Sequence, residues 1–419
     1  MRRKSLWISL FCILAIIAAT GIYILVQPKL TGLFQDGADS GSHSASAAQT
    51  SSTGPTSSAT PSPTVETEPP QPKFADAVWM AVGDIMSHSP ELPAAYDPES
   101  KSYHFDPFFE DIAPLFEDAD WQMANMETPI AGQSFGYSGY PTFNAPIELA
   151  EAVKRAGFNI LSTANNHTMD KGAQGALNTL DNLRGLGFLT VGTHQSAEDR
   201  DKLVLSEKNG IKMGLLAYTY GTNGIPIGED KPYLVDLIDE EKIKSDIERL
   251  KEAGADLVTV SLHFGIEYQT MPSDEQKRLA RSLVAAGADI IAGSHPHVIQ
   301  PYEVVDTVDE KGEPKKALII YSMGNFLSNQ RGNSKDYGVI FKVRIRKNLT
   351  EGLTELADIE AIPTWVHRYK PDKNYRYRIL PVEKTLAEQS DPLLGQADYA
   401  ALEQNYTMLE DRLQALMKQ

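Results

Sequence analysis

The sequence predicts an α/β layered domain with mixed rather than purely parallel strands. Three observations carry that expectation. From Phe74 onward, short apolar runs alternate with helix-like stretches. Two runs flank a Lys208-Asn209-Gly210 turn, which requires an antiparallel hairpin. A late segment, Tyr337–Arg346 (YGVIFKVRIR), alternates with period two as a sheet strand does.

In chain order, Ala77–Val82, Trp121–Ala124, Phe158–Leu161, Leu257–Leu262, Asp289–Ala292 and Ala317–Tyr321 read as buried strands. The hairpin pairs Leu203–Ser206 with Met213–Thr219. Gly172–Leu186 is a predicted helix through Leu177, Leu180 and Leu183, and Asp274–Ala286 is another, with Ser273 as its N-cap. Strands over Ile362–Tyr369 and Tyr375–Val382 and a helix over Tyr399–Met417 complete the tail. The expected domain spans residues 74–346, with 347–419 as an extension packed on it and no internal repeat.

The amino terminus departs from this pattern. A basic tip, residues 1–5 with Arg2, Arg3 and Lys4, precedes the uncharged run 6–26, LWISLFCILAIIAATGIYILV. A helix of about 20 residues crosses a bilayer core of about 30 Å. The basic flank predicts the amino terminus inside and the rest outside, as a single-pass, extracytoplasmic protein of the cell membrane. A cleavable signal peptide is the rival reading, but its apolar core is shorter, about 7–15 residues. The linker 27–73, rich in Ser, Thr and Pro, is an expected disordered tether reaching about 30 Å.

Composition narrows the chemistry. A net charge of −17 excludes nucleic acid or anionic lipid as partners held by a general field. The single cysteine, Cys12, lies in the apolar run, so the body has neither disulfides nor a thiolate metal site. Any metal must be held by histidine, carboxylate and amide groups.

Such groups follow the predicted strands. Val82 leads into Gly83-Asp84 with His88 nearby, and Ala124 into Asn125-Met126-Glu127. Leu161 leads through Ser162-Thr163-Ala164 to Asn165-Asn166-His167, and Leu262 into His263-Phe264-Gly265-Ile266-Glu267. Ala292 leads into Gly293-Ser294-His295-Pro296-His297, and Tyr321 into Ser322-Met323-Gly324-Asn325. Singly, a Gly-Asp after a strand is a turn, a buried histidine is a hydrogen-bonded core residue, and Asn-Asn caps a helix. Together, five of the nine histidines (88, 167, 263, 295, 297) fall where open α/β sheets build their sites, the carboxyl ends of strands. If these strands share one sheet, the clusters converge.

The donor set suits manganese, zinc or iron rather than calcium, and two ions about 3.5–4 Å apart need a bridging carboxylate with flanking histidines. Asp84 and Glu127 supply carboxylates, Asn166 an amide oxygen, and His263, His295 and His297 nitrogens, with His88 as a further ligand. Two divalent ions over two carboxylates leave a local positive charge that attracts an anion. His167 is placed as the proton donor to a leaving group. Asn165 and Asp170 are expected to hold this wall in place, Asp170 also capping the next helix. The loop Gln133–Asn144 (QSFGYSGYPTFN) reads as a lid or as packed surface.

The series GDIM, NMETP, YPTFNAP, ANNHTMD, HFGIE, GSHPHV and YSMGNF, from about Val78 to Phe326, resembles the CapA/PgsA family of capsule (poly-γ-glutamate) synthesis proteins, and IPTWVHRY at 362–369 continues it. That family looks like a branch of the calcineurin-like metallophosphatases, whose pattern is D-x-H, G-D-x-x-D, G-N-H-D/E, a lone His and G-H-x-H. The resemblance implies a metallophosphatase-like layered fold with mixed sheets flanked by helices. It matches Asp84 to the first aspartate, Glu127 to the bridging carboxylate, Asn166-His167 to the Asn-His pair, His263 to the lone His, and His295 and His297 to the final pair. His88 lies four residues from Asp84 rather than two. Asn125, Phe143, Asn144, Glu267, Ser322 and Asn325 are expected to support the ligands or meet the substrate.

Three functions follow as expectations. The first is a membrane-anchored partner of a membrane-embedded polymer synthase, whose metal centre binds or processes an anionic, poly-γ-glutamate-like polymer. The second is a free-standing metal-dependent hydrolase of phosphoester or amide bonds. The third is a non-catalytic polymer-binding module.

Overall fold

The computed structural model describes residues 73–309 and 312–417. These belong to one compact unit, Pro69–Gln419. The expected anchor at 6–26 and nearly all of the tether lie outside the described residues, and among those described no helix is long and apolar enough to cross a membrane.

The chain begins with β1 (Phe74–Ile85), a short ribbon of β2 (Tyr96–Asp97) and β3 (Ser102–Tyr103), then β4 (Trp121–Met126), β5 (Ile160–Ser162) and β6 (Leu189–Val191). β7 (Val204–Lys208) and β8 (Ile211–Thr219) form the expected hairpin around Asn209-Gly210, both with positive φ. There follow β9 (Leu257–His263), β10 (Ile290–Ser294), β11 (Tyr302–Val308), β12 (Pro314–Ile320), β13 (Asn325–Leu327), β14 (Tyr337–Asn348), β15 (Thr354–Tyr369) and β16 (Arg376–Pro381). Among the described residues these assemble into an eight-stranded sheet, ordered β16-β15-β14-β1-β4-β5-β6 with β13 beside β1, and a six-stranded sheet, ordered β11-β12-β10-β9-β8-β7.

Each sheet has a parallel centre, β1-β4-β5-β6 in one and β8-β9-β10-β12 in the other. Antiparallel strands β14, β15 and β16 extend one side of the larger sheet, and β11 and β7 flank the smaller, so the expectation of mixed strands holds. The pleat explains the layers. On β1, Trp79 and Ala81 enter a core shared with Met213, Leu215, Ile290 and Leu318 of the second sheet, while Met80 and Val82 face Phe108, Phe109, Leu149 and Val153 of the flanking helices. On the outer face of the second sheet, Val258, Val260 and Ile291 pack on Ile247, Leu250, Leu279 and Leu283. Strands covered on both faces are apolar on both, which is why they read as continuous runs.

Local signals set the helix ends. Ser273 forms a full capping box with Gln276 before the helix Asp274–Ala285. The helix Gly172–Gly185 lies where the leucine spacing put it.

Two expectations change. The polar clusters do not share one sheet: those after β1, β4 and β5 come from the larger sheet and those after β9, β10 and β12 from the smaller. The boundary at 346 falls inside β14, and β15 and β16 extend the large sheet, while Leu402, Leu409 and Leu413 of the helix Gln396–Leu413 join the core between the sheets. Val382 leaves the last strand and opens a short helix, Val382–Glu388.

Glycine lets neighbouring backbone segments pass closely within each sheet at the carboxyl-end rim. A Cβ on Gly83 would sit 1.9 Å from the Gly324 carbonyl oxygen, and one on Gly293 would sit 2.2 Å from that of Tyr321. In both places the obstacle is backbone and cannot swing aside. Gly83→Ala is expected to cost about 1–3 kcal/mol, read as a lowered urea midpoint; a midpoint equal to that of the parent would contradict this packing.

Candidate metal centre

The carboxyl ends of the parallel strands from both sheets open onto one buried polar cluster. β1 ends in Asp84 and β4 leads to Glu127, both with no exposed surface. β9 ends in His263, and β10 runs into His295 and His297. The last two have φ of +99° and +58°, conformations that cost a non-glycine residue energy, and a donor nitrogen of each lies within 4.8 Å of the other's.

Glu127 is the centre of the arrangement. Its Oε1 has no hydrogen-bond partner although it is buried, and it lies 3.7 Å from both His263 Nε2 and His297 Nε2. Its Oε2 accepts from Asn125 Nδ2 at 3.3 Å, and the same amide donates to Asp84 Oδ1 at 2.8 Å. Asp84 Oδ2 lies 3.1 Å from His297 Nδ1, which also faces Asn325 Oδ1 at 3.2 Å. Between two acceptors, a neutral His297 carries its proton on Nδ1 and presents the Nε2 lone pair to the pocket. His263 Nε2 and Asn166 Oδ1 are 2.9 Å apart, a separation that two ligands of one cation share.

Electrostatics points the same way. Burial, then the charge of Asp84, pushes Glu127 well above the ordinary carboxylate range. Burial, then the neighbouring histidines, holds His263 well below its ordinary value and takes His295 down to about 4, Asp84 opposing in the latter case. The rings are therefore neutral at physiological pH, the form that binds metal. Among the described residues no lysine or arginine pairs with Asp84 or Glu127. An unpartnered buried carboxylate oxygen, a second carboxylate and neutral imidazoles fit divalent cations. Two ligand groups are present, Asp84-Glu127-His263 and Glu267-His295-His297, each with donor atoms within 4.8 Å of one another.

A second wall carries His167. Its Nδ1 lies 2.8 Å from Asp170 Oδ2, which also accepts from the Phe143 backbone N–H at 2.7 Å. Asn165 Oδ1 accepts from the His167 N–H at 3.1 Å, while Asn165 Nδ2 donates to the Met126 carbonyl at 2.9 Å, tying this loop to β4. Phe143 meets His167 edge-on at 4.7 Å. Asn144 organises its own loop, accepting from the Ala131 N–H and donating to the Gly132 and Gly136 carbonyls. Ser322 Oγ donates to the Val298 carbonyl at 2.8 Å, and Asn325 donates to the His297 carbonyl at 3.3 Å, so both brace the His-Pro-His loop.

His88 is not brought into the cluster. Its ring faces Glu91 Oε2 at 3.5 Å, accepts from the Asn329 N–H and packs edge-on against Phe143 at 5.2 Å. Asp170 does not cap the following helix: Lys171 is its N-cap, without a side-chain bond, because Asp170 is committed to His167 and Phe143. Sequence reasoning missed Asn223, whose Oδ1 accepts from Asn166 at 3.2 Å, and Tyr220, whose ring lies 4.6 Å from that of His295. Both follow β8, and asking what comes after that strand would have found them. A groove of about 500 Å³ lined by Asp256, Asp289 and Lys315 lies at the opposite, amino-terminal end of the strands, where Lys315 pairs with Asp289 and Lys347 with Asp256.

Glu127 yields a stability prediction. Its raised pKa means that it favours the cation-free fold when protonated, and that contribution is lost as pH rises through the raised value. Cation-free Glu127→Gln is therefore expected to unfold at a higher temperature than the parent at pH 7–8, the gap having opened as pH rises from the ordinary carboxylate range toward the raised value. Added manganese or zinc should reverse the order, stabilising the parent by about 2.7 kcal/mol at a hundredfold excess over Kd and the variant by much less. Equal cation-induced shifts in calorimetry would contradict the site.

The sequence profile of the bacterial capsule synthesis protein PGA_cap family matches residues 78–330. The chain is 30% identical to the capsule biosynthesis protein CapA of Bacillus anthracis, covering 71% of each chain. It is also 30% identical to the PGA biosynthesis protein CapA of Bacillus subtilis, covering 71% of this chain and 74% of that one. Its fold is similar to the calcineurin-like phosphoesterase YfkN from Bacillus subtilis, at 18% identity and a TM-score of 0.41 over 70% of this chain and 91% of that chain. With more than half its length inside the profile and two relatives at 30% identity, the chain belongs to the bacterial capsule synthesis protein PGA_cap family.

Proposed function

We propose that this protein is a membrane-anchored, extracytoplasmic component of capsule synthesis whose centre holds two divalent cations (manganese, zinc or iron) and binds or processes an anionic, poly-γ-glutamate-like polymer. The observation that carries this reading is the unpartnered Oε1 of Glu127, set 3.7 Å from two histidine nitrogens. Cations bound there would supply Lewis acidity and a positive focus in a chain whose net charge is −17. A polymer carboxylate or phosphate would be drawn to that focus although the body of the protein repels it. The apolar run 6–26 supports placement beside a membrane-embedded synthase.

His167 favours processing over mere binding. With Nδ1 held by Asp170 at 2.8 Å, its ring is fixed and Nε2 is left to carry a proton toward a leaving group.

Two outcomes test these readings in the host. Replacing the chromosomal gene by a Glu127→Gln allele is expected to reduce surface polymer to the level of the gene deletion, with the protein still present by immunoblot; a normal capsule would refute the role of the centre. His167→Ala is expected to lower turnover of polymer by about 10²–10⁴-fold while leaving bound metal unchanged. Unchanged turnover would leave binding as the function.

A further inference from the structure

The chain lacks one ligand that the metallophosphatase pattern supplies, because His88 is turned toward Glu91 and Phe143. Glu267 is where a substitute stands. Its loop leaves β9 and is fastened to the His-Pro-His loop at both ends. The Phe264 N–H donates to the Ser294 carbonyl at 3.1 Å, and the Tyr268 N–H donates to the Pro296 carbonyl at 2.8 Å. Tyr268 has φ of +66°, so the chain reverses sharply just after Glu267. The carboxylate is thereby held among two imidazoles, with one donor atom each of Glu267, His295 and His297 within 4.8 Å of the others.

We propose that Glu267 is the third protein ligand of a second, outer cation site formed with His295 and His297. It takes the role of the missing D-x-H histidine. The proposal rests on the reading of Glu127 as a cation ligand, and adds a residue, a place and an accessibility to it. An independent observation points to a ligand here: Nδ1 of His295 is buried without a partner, in a residue only 4% exposed. A buried ring nitrogen with no partner costs free energy that a cation would return. Two imidazoles and one carboxylate, with positions left open, are a donor set for manganese, zinc or iron in an exchangeable site.

The two groups differ in access. Asp84, Glu127 and His263 are all buried, whereas Glu267 is exposed. The outer cation is therefore the one that exchanges with solvent and the one an incoming polymer carboxylate meets first. Tyr220 and Tyr268, 49% and 46% exposed, stand over His295 and His297 with ring centroids at 4.6 and 6.0 Å, and flank that approach. Glu267 is a carboxylate on a surface loop, so it can release the cation or the polymer without disturbing the buried group.

The test is manganese binding to the full-length chain in detergent, stripped of metal and then titrated, read by metal content and by electron paramagnetic resonance. The parent is expected to bind two ions in two steps, the second ion broadening the signal of the first by its proximity. Glu267→Gln is expected to keep the tighter step, lose the weaker one and show an isolated-ion signal, with Glu267→Asp restoring two ions. Because Glu267 is exposed, thermal unfolding of the cation-free variants should match the parent, which separates ligand loss from misfolding. Two ions bound by Glu267→Gln with parental affinity, one ion bound equally by parent and variant, or loss of both ions in the variant would each overturn the separate outer site. A parent that binds no ion would overturn the metal-centre reading as well.

Discussion

Two carboxylates, Asp84 and Glu127, are buried together with no lysine or arginine among the described residues to neutralise them, and the rest of the site is arranged around that constraint. Removing two negative charges from water costs several kcal/mol each unless something compensates. Asn125 contributes one amide to both, and the neighbouring histidines are held neutral by burial. Neutral imidazoles offer lone pairs rather than charge. What is left over is one carboxylate oxygen facing two ring nitrogens, a vacancy in charge that a divalent cation satisfies and a protein cation does not.

The fold makes such a place possible by bringing strand ends from two sheets to one point. Each sheet alone delivers half of the ligands: the larger gives Asp84, Glu127 and Asn166, and the smaller gives His263, His295 and His297. The inter-sheet core built on Trp79, Trp121, Met213 and Ile290 fixes the distance between the halves. Gly83 and Gly293 allow backbone to pass backbone at the rim. Binding energy for a cation is therefore also energy that holds the two sheets in register, so function and stability are coupled at the same atoms.

Much of this was legible in the primary structure, for physical reasons. Strands covered on both faces are largely apolar, so the metal-binding and amide side chains gathered at their carboxyl ends stand out, among them Asp84, Asn125 and His263. The family resemblance depends on the same segments. What was hidden is what depends on side-chain direction or on pairing between distant segments. Nothing local says that His88 turns toward Glu91, since that orientation is set by Asn329 and Phe143. Nothing local assigns β4 and β9 to different sheets. The sequence reads residues 347–419 as an extension beside the domain, yet β15 pairs with β14 along nearly the whole length of β14, a match between distant segments that no local pattern states.

The most direct measurement is anomalous X-ray diffraction from crystals grown with manganese or zinc, collected at the absorption edge of the metal. The account predicts a peak about 2.0–2.2 Å from Glu127 Oε1, within ligand reach of Asp84 and His263. Crystals in which that oxygen instead bonds to water or to a protein donor, with no anomalous density between the two sheets, would contradict it.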